Sequence, residues 1–185
     1  MILPFATQNE GKLQEARQVL QPYGIRVQSL SLDLVEPDLG TIEDVTKEKM
    51  NQVQSLGYQR VMVDDAGIFF KAYNRFPGIL SKRVFQGIGY RGVMKLLDGE
   101  SRDAWFEGAV AVLWDGKRAV FSDRTPGRIV NTIPSNIDPE PGFPFNPIFI
   151  PNGDHRTLAE MSPQERQQYS YRGKVLKKVA DWITR

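Results

Sequence analysis

The chain has 185 residues, 41% of them hydrophobic and 25% charged, with a formal net charge of +2, one histidine and no cysteine. This length and balance fit a single globular domain with a sizeable core. The missing cysteines exclude disulfides, thiolate catalysis and cysteine-metal sites, the lone His155 excludes a histidine-built metal centre, and a charge near zero gives no electrostatic reason to expect nucleic acid or membrane as a partner.

"ILPFAT" reads as a short buried strand. Leu13, Ala16, Val19 and Leu20 then recur at helical spacing until Pro22 and Gly24 stop the helix. "IRVQSL" reads as a second strand. "TIEDVTKEKMNQVQSLG" reads as a second helix, with Thr41 as N-cap, acids in its first turn and Gly57 at its end. "RVMV" has strand length and is expected to stop at Asp64 and Asp65, with "GIFFKAY" as a separate strand. "SKRVFQ" and "YRGVMKLLDG" read as short helices. The Asp115-Gly116 dipeptide between "AWFEGAVAVLW" and "KRAVFSDRT" is a hairpin signal, and "GRIVNTI" adds a further strand. Residues 132–153 carry six prolines and read as loop. "SPQE" opens a helix, with Ser162 as N-cap, Pro163 next and Glu165 closing a capping box. A last helix begins near Ser170, with Val175, Leu176, Val179 and Ile183 as its apolar stripe. Strand-helix alternation followed by hairpins implies an α/β fold with a mixed sheet.

Met1 leads directly into "ILPFAT" without a basic region or cleavage site, and no apolar run reaches the roughly 20 residues of a membrane span, so a cytoplasmic protein is the expectation.

Any site must then be built from carboxylates, Lys and Arg, amides and aromatics. In "TQNEGK" a strand gives way to a helix. Free N–H groups there attract anions, Lys12 adds a charge, and Thr7 and Asn9 can hydrogen-bond phosphate, although an ordinary helix cap reads the same way. In "VMVDDAG" paired carboxylates leave a strand. One can hold Mg²⁺ while the other deprotonates a water, or the pair simply makes a turn. Glu36 joins them if its loop folds back. "GIGYRG", residues 87–92, spells a dinucleotide motif but follows a helical segment, so it is read as helix punctuation. Most of Lys47, Lys49, Lys82, Arg83, Arg166, Arg172 and Lys174 read as solvated charges, Arg172 least securely because "SYRG" crowds it at a helix start. His155 reads as a loop residue.

Taken in order, these segments resemble the inosine triphosphate pyrophosphatase, or Ham1, family over nearly the whole chain. "FATQNEGKLQEARQVL" is similar to its T-x-N-x-x-K-x-x-E opening, "LDLVEP…GTIEDVTKEK" to its acidic loop and following helix, and "VMVDDAGIFFKAYNRFPGILSKRV" to its D-D-S-G-L…PG-x-x-S block. "FSDRTPGRIV" resembles a G-x-x-x-G-x-I strand. "GFPFNPIFIPNGDHRTLAEMSPQER…SYRGKVLKKV" resembles its longest block, G-[FW]-x-[YW]-D-P-x-F-x-P…T-x-A-E-M…K…S-H-R.

The resemblance implies an elongated mixed β-sheet with flanking helices, forming two lobes around a central cleft within one domain, residues 1–185, and usually a homodimer. It implies Mg²⁺-dependent hydrolysis of non-standard purine nucleoside triphosphates (ITP, dITP, XTP) to a monophosphate and pyrophosphate. Thr7, Asn9 and Lys12 match phosphate-binding positions, and Lys49 and Lys82 match further triphosphate-facing lysines. Glu36 matches a metal ligand. Asp65 matches the water-activating base, with Asp64 as a metal ligand or its support. Phe143, Phe145, Asn146, Arg166, Ser170, Tyr171 and Arg172 fall on base-recognition positions, with Phe143 or Phe145 expected to stack on the purine.

The chain departs from the pattern where D-P becomes Asn146-Pro147, S-H-R becomes Ser170-Tyr171-Arg172 and D-D-S-G becomes Asp64-Asp65-Ala66-Gly67. An amide can accept or donate where a carboxylate only accepts. The same chemistry on another nucleotide therefore stays open beside the 6-oxopurine reading, as does a nucleotide-binding relative without catalysis. Asn146→Asp with Tyr171→His is expected to restore an inosine preference.

Overall fold

The computed structural model describes all 185 residues. Six strands form one mixed sheet in the order β2-β1-β3-β4-β5-β6. These are β1 (Ile2–Ala6), β2 (Arg26–Leu30), β3 (Arg60–Phe70), β4 (Asp103–Trp114), β5 (Lys117–Ile129) and β6 (Phe149–Pro151). β1 runs parallel to β2 and β3, and every later pairing is antiparallel. The helices are α1 (Glu10–Leu20), α2 (Ile42–Ser55), α3 (Ser81–Leu96), α4 (Pro163–Gln167) and α5 (Tyr171–Ile183). None is long and apolar enough to cross a membrane.

The helix starts follow their local signals. Thr41 closes a capping box with Asp44, Ser162 closes one with Glu165, and the Asn9 and Ser170 side chains cap α1 and α5. Helix α3 joins the two expected short helices across a break at Gly89, whose φ is 59°.

Two expectations about strands fail. "RVMV" does not stop at Asp64. β3 continues through both aspartates to Phe70, because β4 supplies an unbroken antiparallel partner from Arg60↔Trp114 to Phe70↔Ala104. "KRAVFSDRT" and "GRIVNTI" likewise merge into β5 across Pro126. The Pro126 carbonyl accepts from Asn152 N–H at 2.9 Å on the side away from β4, so the proline nitrogen faces that side too and β4 loses no hydrogen bond. The proline-rich stretch is not wholly loop either, since it holds a 3₁₀ turn at residues 146–148 and the short β6.

Strand periodicity sorts the core. Met62, Val110 and Val112 face α1 and α5, where they join Leu3, Phe5, Leu13, Val175 and Val179. Val61, Val63, Ala111 and Leu113 face α2, against Met50 and Val53. A third cluster lies toward the far ends of the long strands, where Phe70, Val93, Phe145, Ile148, Phe149 and Met161 pack together.

Candidate active site

The two-residue period of β3 carries through the acidic pair. Asp64 points to the α1/α5 face and Asp65 to the α2 face, so adjacent carboxylates meet different cations. β1 ends at Ala6, and its pairing with β3 is Phe5↔Met62, so the aspartates lie just past the carboxyl end of β1, where the sheet opens.

Asp64 is 3% exposed. Its Oδ1 accepts from Lys12 Nζ at 3.0 Å and its Oδ2 from Arg172 Nε at 3.3 Å. Burial alone would raise this carboxyl, but Lys12, Arg172 and Lys49 outweigh it and hold it below the ordinary range. Both oxygens are therefore committed to cations. Asp64, expected as a metal ligand or as the support of one, joins α1, β3 and α5 through these two pairs.

Asp65 has one cation, Lys49 Nζ at 3.8 Å. Burial pushes its carboxyl up to about 6, with Glu36 and Asp64 adding to the rise against Lys49 and Lys12. A base of this strength suits proton abstraction near neutral pH. Lys49 is buried on α2 and donates to Glu36 Oε1 at 2.9 Å and to the Asp64 carbonyl at 2.7 Å. Its carboxylate neighbours keep the ammonium charged despite burial. Glu36 reaches the site from its loop, and Lys49 outweighs the effect of its partial burial to lower it. Exposed Lys82, in the first turn of α3, adds to that lowering.

Glu36 and Asp65 thus converge on one ammonium. Two carboxylates with oxygens left for further bonds are what Mg²⁺ takes beside phosphate oxygens and water, so these residues fit the ion. There is no cluster of three acidic or histidine ligands.

Thr7 and Asn9 do local work at the start of α1. The Thr7 hydroxyl accepts from Asn9 N–H at 3.1 Å. Asn9 Oδ1 caps Lys12 N–H at 3.1 Å, while its Nδ2 donates to the Gly142 carbonyl at 3.2 Å. The proline-rich segment is thereby tied to the start of α1. Gly11 makes the approach possible, since a Cβ there would collide with the Phe143 ring.

Beyond Arg172 lies a cavity of about 280 Å³, walled by Phe106, Phe143 and Tyr171 and carrying Asn146, Arg166 and Glu140. Tyr171 stands over Gly108, where a Cβ would enter its ring. Its hydroxyl accepts from Arg172 at 2.8 Å, which leaves the phenolic hydrogen to donate, and burial pushes the phenol up to about 12, so it stays protonated. The two candidate stacking residues separate. Phe143 is half-buried at the cavity, with the Arg172 guanidinium 5.8 Å from its ring. Phe145 is 4% exposed and packs edge-on against Phe70 and Phe85, so it belongs to the core. Ser170 caps α5 and donates to Glu15, whose other oxygen accepts from Arg172 at 2.8 Å.

Two acids in this site were given no role from the sequence. Glu15 had a signal, because the T-x-N-x-x-K-x-x-E pattern ends on it, one turn beyond Lys12 on the same face of α1. Glu140, among prolines, had none.

A model of the Ham1 family matches residues 3–182. A dITP/XTP pyrophosphatase of Thermococcus kodakarensis is 39% identical over 184 residues, covering 99% of this chain and 97% of the relative. One from Methanopyrus kandleri is 41% identical over 181 residues, covering 96% and 94%. Among solved structures, a HAM1 protein from Coxiella burnetii superposes with a TM-score of 0.81 at 23% identity, covering 100% of this chain and 98% of that one, a likeness of fold. A nucleoside-triphosphatase, dITP/XTP pyrophosphatase from Mycobacterium abscessus gives 0.71 at 29% identity, with 97% of each chain covered.

Proposed function

The chain belongs to the Ham1 family, and from that premise we propose that it hydrolyses non-standard purine nucleoside triphosphates such as dITP and XTP to the monophosphate and pyrophosphate. The observation that carries this reading is the joining of two unlike half-sites by Arg172, an aromatic cavity on one side and a field of cations and carboxylates on the other.

The base occupies the cavity with Phe143 against its face, and the triphosphate lies toward Lys12, Lys49 and Lys82. A water attacks the α-phosphorus, Asp65 takes its proton, and the bond from the α-phosphorus to the bridging oxygen breaks, releasing pyrophosphate. The lysines offset charge gathering on that leaving group. Glu36 and Asp65 would hold Mg²⁺, which when bound neutralises phosphate charge. Asp64 acts through the cations it aligns. The family resemblance supports a homodimer and a cytoplasmic setting, with residues 1–185 forming one domain of two lobes around this cleft.

Incubation of the purified protein with ITP, XTP and the common nucleotides, with separate detection of pyrophosphate and orthophosphate, tests the reading. Pyrophosphate from ITP and XTP, dependent on Mg²⁺, is expected. Orthophosphate as the primary product, or no turnover, would overturn it.

A further inference from the structure

Glu140 stands at the mouth of the cavity and belongs to no family motif noted above. Its Oε1 pairs with an Arg166 guanidinium nitrogen, and its Oε2 accepts from Asn146 Nδ2 at 3.4 Å. Arg166 is itself anchored, donating to the Met161 carbonyl at 3.1 Å and the Ala159 carbonyl at 3.4 Å. The backbone fixes the spacing. Glu140, Pro141, Gly142 and Phe143 form a tight turn closed by Phe143 N–H to the Glu140 carbonyl at 2.9 Å, with Gly142 at a φ of 79°. Asn146 N–H then bonds the Phe143 carbonyl at 3.1 Å.

The consequence lies in the amide. A carboxylate accepts only, so Glu140 selects the Asn146 orientation that turns Nδ2 toward it. Asn146 Oδ1 is left with no bond to protein, and it is not sealed, since the one fully buried side-chain polar atom without a partner is Trp105 Nε1. Asn146, 9% exposed, lines the cavity. We propose that Glu140 is a positioning residue for base selection, holding Asn146 so that its carbonyl oxygen, an acceptor, faces the bound base. Resting on the reading of the cavity as a purine site, this makes Asn146 serve as a carboxylate would. The carbonyl receives the N1–H of a 6-oxopurine and opposes the lone pair on N1 of a 6-aminopurine.

The assignment bears on the expected pairing of Asn146→Asp with Tyr171→His. Asn146→Asp would set a second carboxylate against Glu140, so alone it weakens nucleotide binding instead of sharpening selection. Adding Glu140→Gln restores a donor between the two and rescues it.

The test measures kcat/KM for ITP and ATP by pyrophosphate release, and binding of IMP and AMP by calorimetry. In Glu140→Ala the amide is free to turn, and both the ITP:ATP and IMP:AMP ratios should fall about tenfold or more, the scale of one polar mismatch. Glu140→Gln, whose carbonyl still accepts from Nδ2, should stay within about threefold of the parent ratio. Asn146→Asp should lose affinity for both nucleotides and regain it with Glu140→Gln. An unchanged ratio in folded Glu140→Ala overturns the assignment, as does Asn146→Asp with parent affinity, or a parent protein that binds IMP and AMP equally. If the parent releases no pyrophosphate from ITP yet shows an IMP preference that depends on Glu140, the proposed reaction fails and the assignment stands.

Discussion

Substituting each aspartate of the acidic pair by asparagine should give opposite profiles. Asp64 is buried and holds Lys12 at 3.0 Å and Arg172 at 3.3 Å. Asp64→Asn keeps the shape but leaves Lys12 without its carboxylate and buried Arg172 with Glu15 as its one carboxylate partner. Breaking a buried ion pair from one side costs about 3–5 kcal/mol. At about 2–4 °C per kcal/mol for a chain of this size, the melting temperature should drop roughly 6–20 °C. Asp65 has only the 3.8 Å approach of Lys49, and its carboxyl is already raised by burial, so Asp65→Asn should melt within about 3 °C of the parent. Activity should divide the other way. Losing a general base removes about 10²–10⁴ of kcat, whereas Asp64→Asn, assayed well below its melting point, should retain more turnover than Asp65→Asn. Circular dichroism melts paired with pyrophosphate release read both quantities. A thermally neutral Asp64→Asn, or an Asp65→Asn that loses stability while keeping turnover, would refute the division of labour assigned to the two faces of β3.

Phe145→Ala should lower unfolding stability by about 3–5 kcal/mol in a denaturant titration, while Phe143→Ala should leave it nearly unchanged and raise KM roughly 5- to 150-fold, the scale of one base-aromatic stack. Arg156 pairs with Asp154 at 3.1 Å and Glu165 at 2.8 Å, holding Asp154 well below the usual carboxylate range and Glu165 at about 2. Because both carboxyls are depressed in the folded state, their stabilisation is complete above their ordinary values of 3.8 and 4.5 and is lost as pH falls below them. Melting curves from pH 5 to pH 2 should therefore fall less steeply for Arg156→Ala than for the parent, and parallel curves would contradict this. Chelation with EDTA should stop pyrophosphate release and added Mg²⁺ should restore it, with no change of product.

The helices were legible because their ends are written locally. Thr41 with Asp44, Ser162 with Glu165, and Asn9 all act as the caps their types suggest. Lys12, Lys49 and Arg172, on those helices, all meet the acidic pair, although without the family resemblance Lys49 read as a solvated charge. The pair itself was harder. Aspartate signals a turn, and only the length of β4, a property of residues more than forty positions away, shows that β3 runs on and sends the two side chains to opposite faces. Pro126 misled in the same manner, because its tolerance depends on which side of β5 its nitrogen faces. Phe143 and Phe145 share a residue type and a local composition. Phe85 and Phe70, distant in sequence, decide that the second is core. Glu140 acquires its meaning only when Arg166 and Asn146 close around it.

The product of ITP hydrolysis tests the central claim most directly. With ¹⁸O-labelled water, Mg²⁺ and the purified protein, label should enter IMP alone and pyrophosphate should form in equal amount. Label in orthophosphate, with IDP as the nucleotide product, would place the attack on the γ-phosphorus and contradict the account.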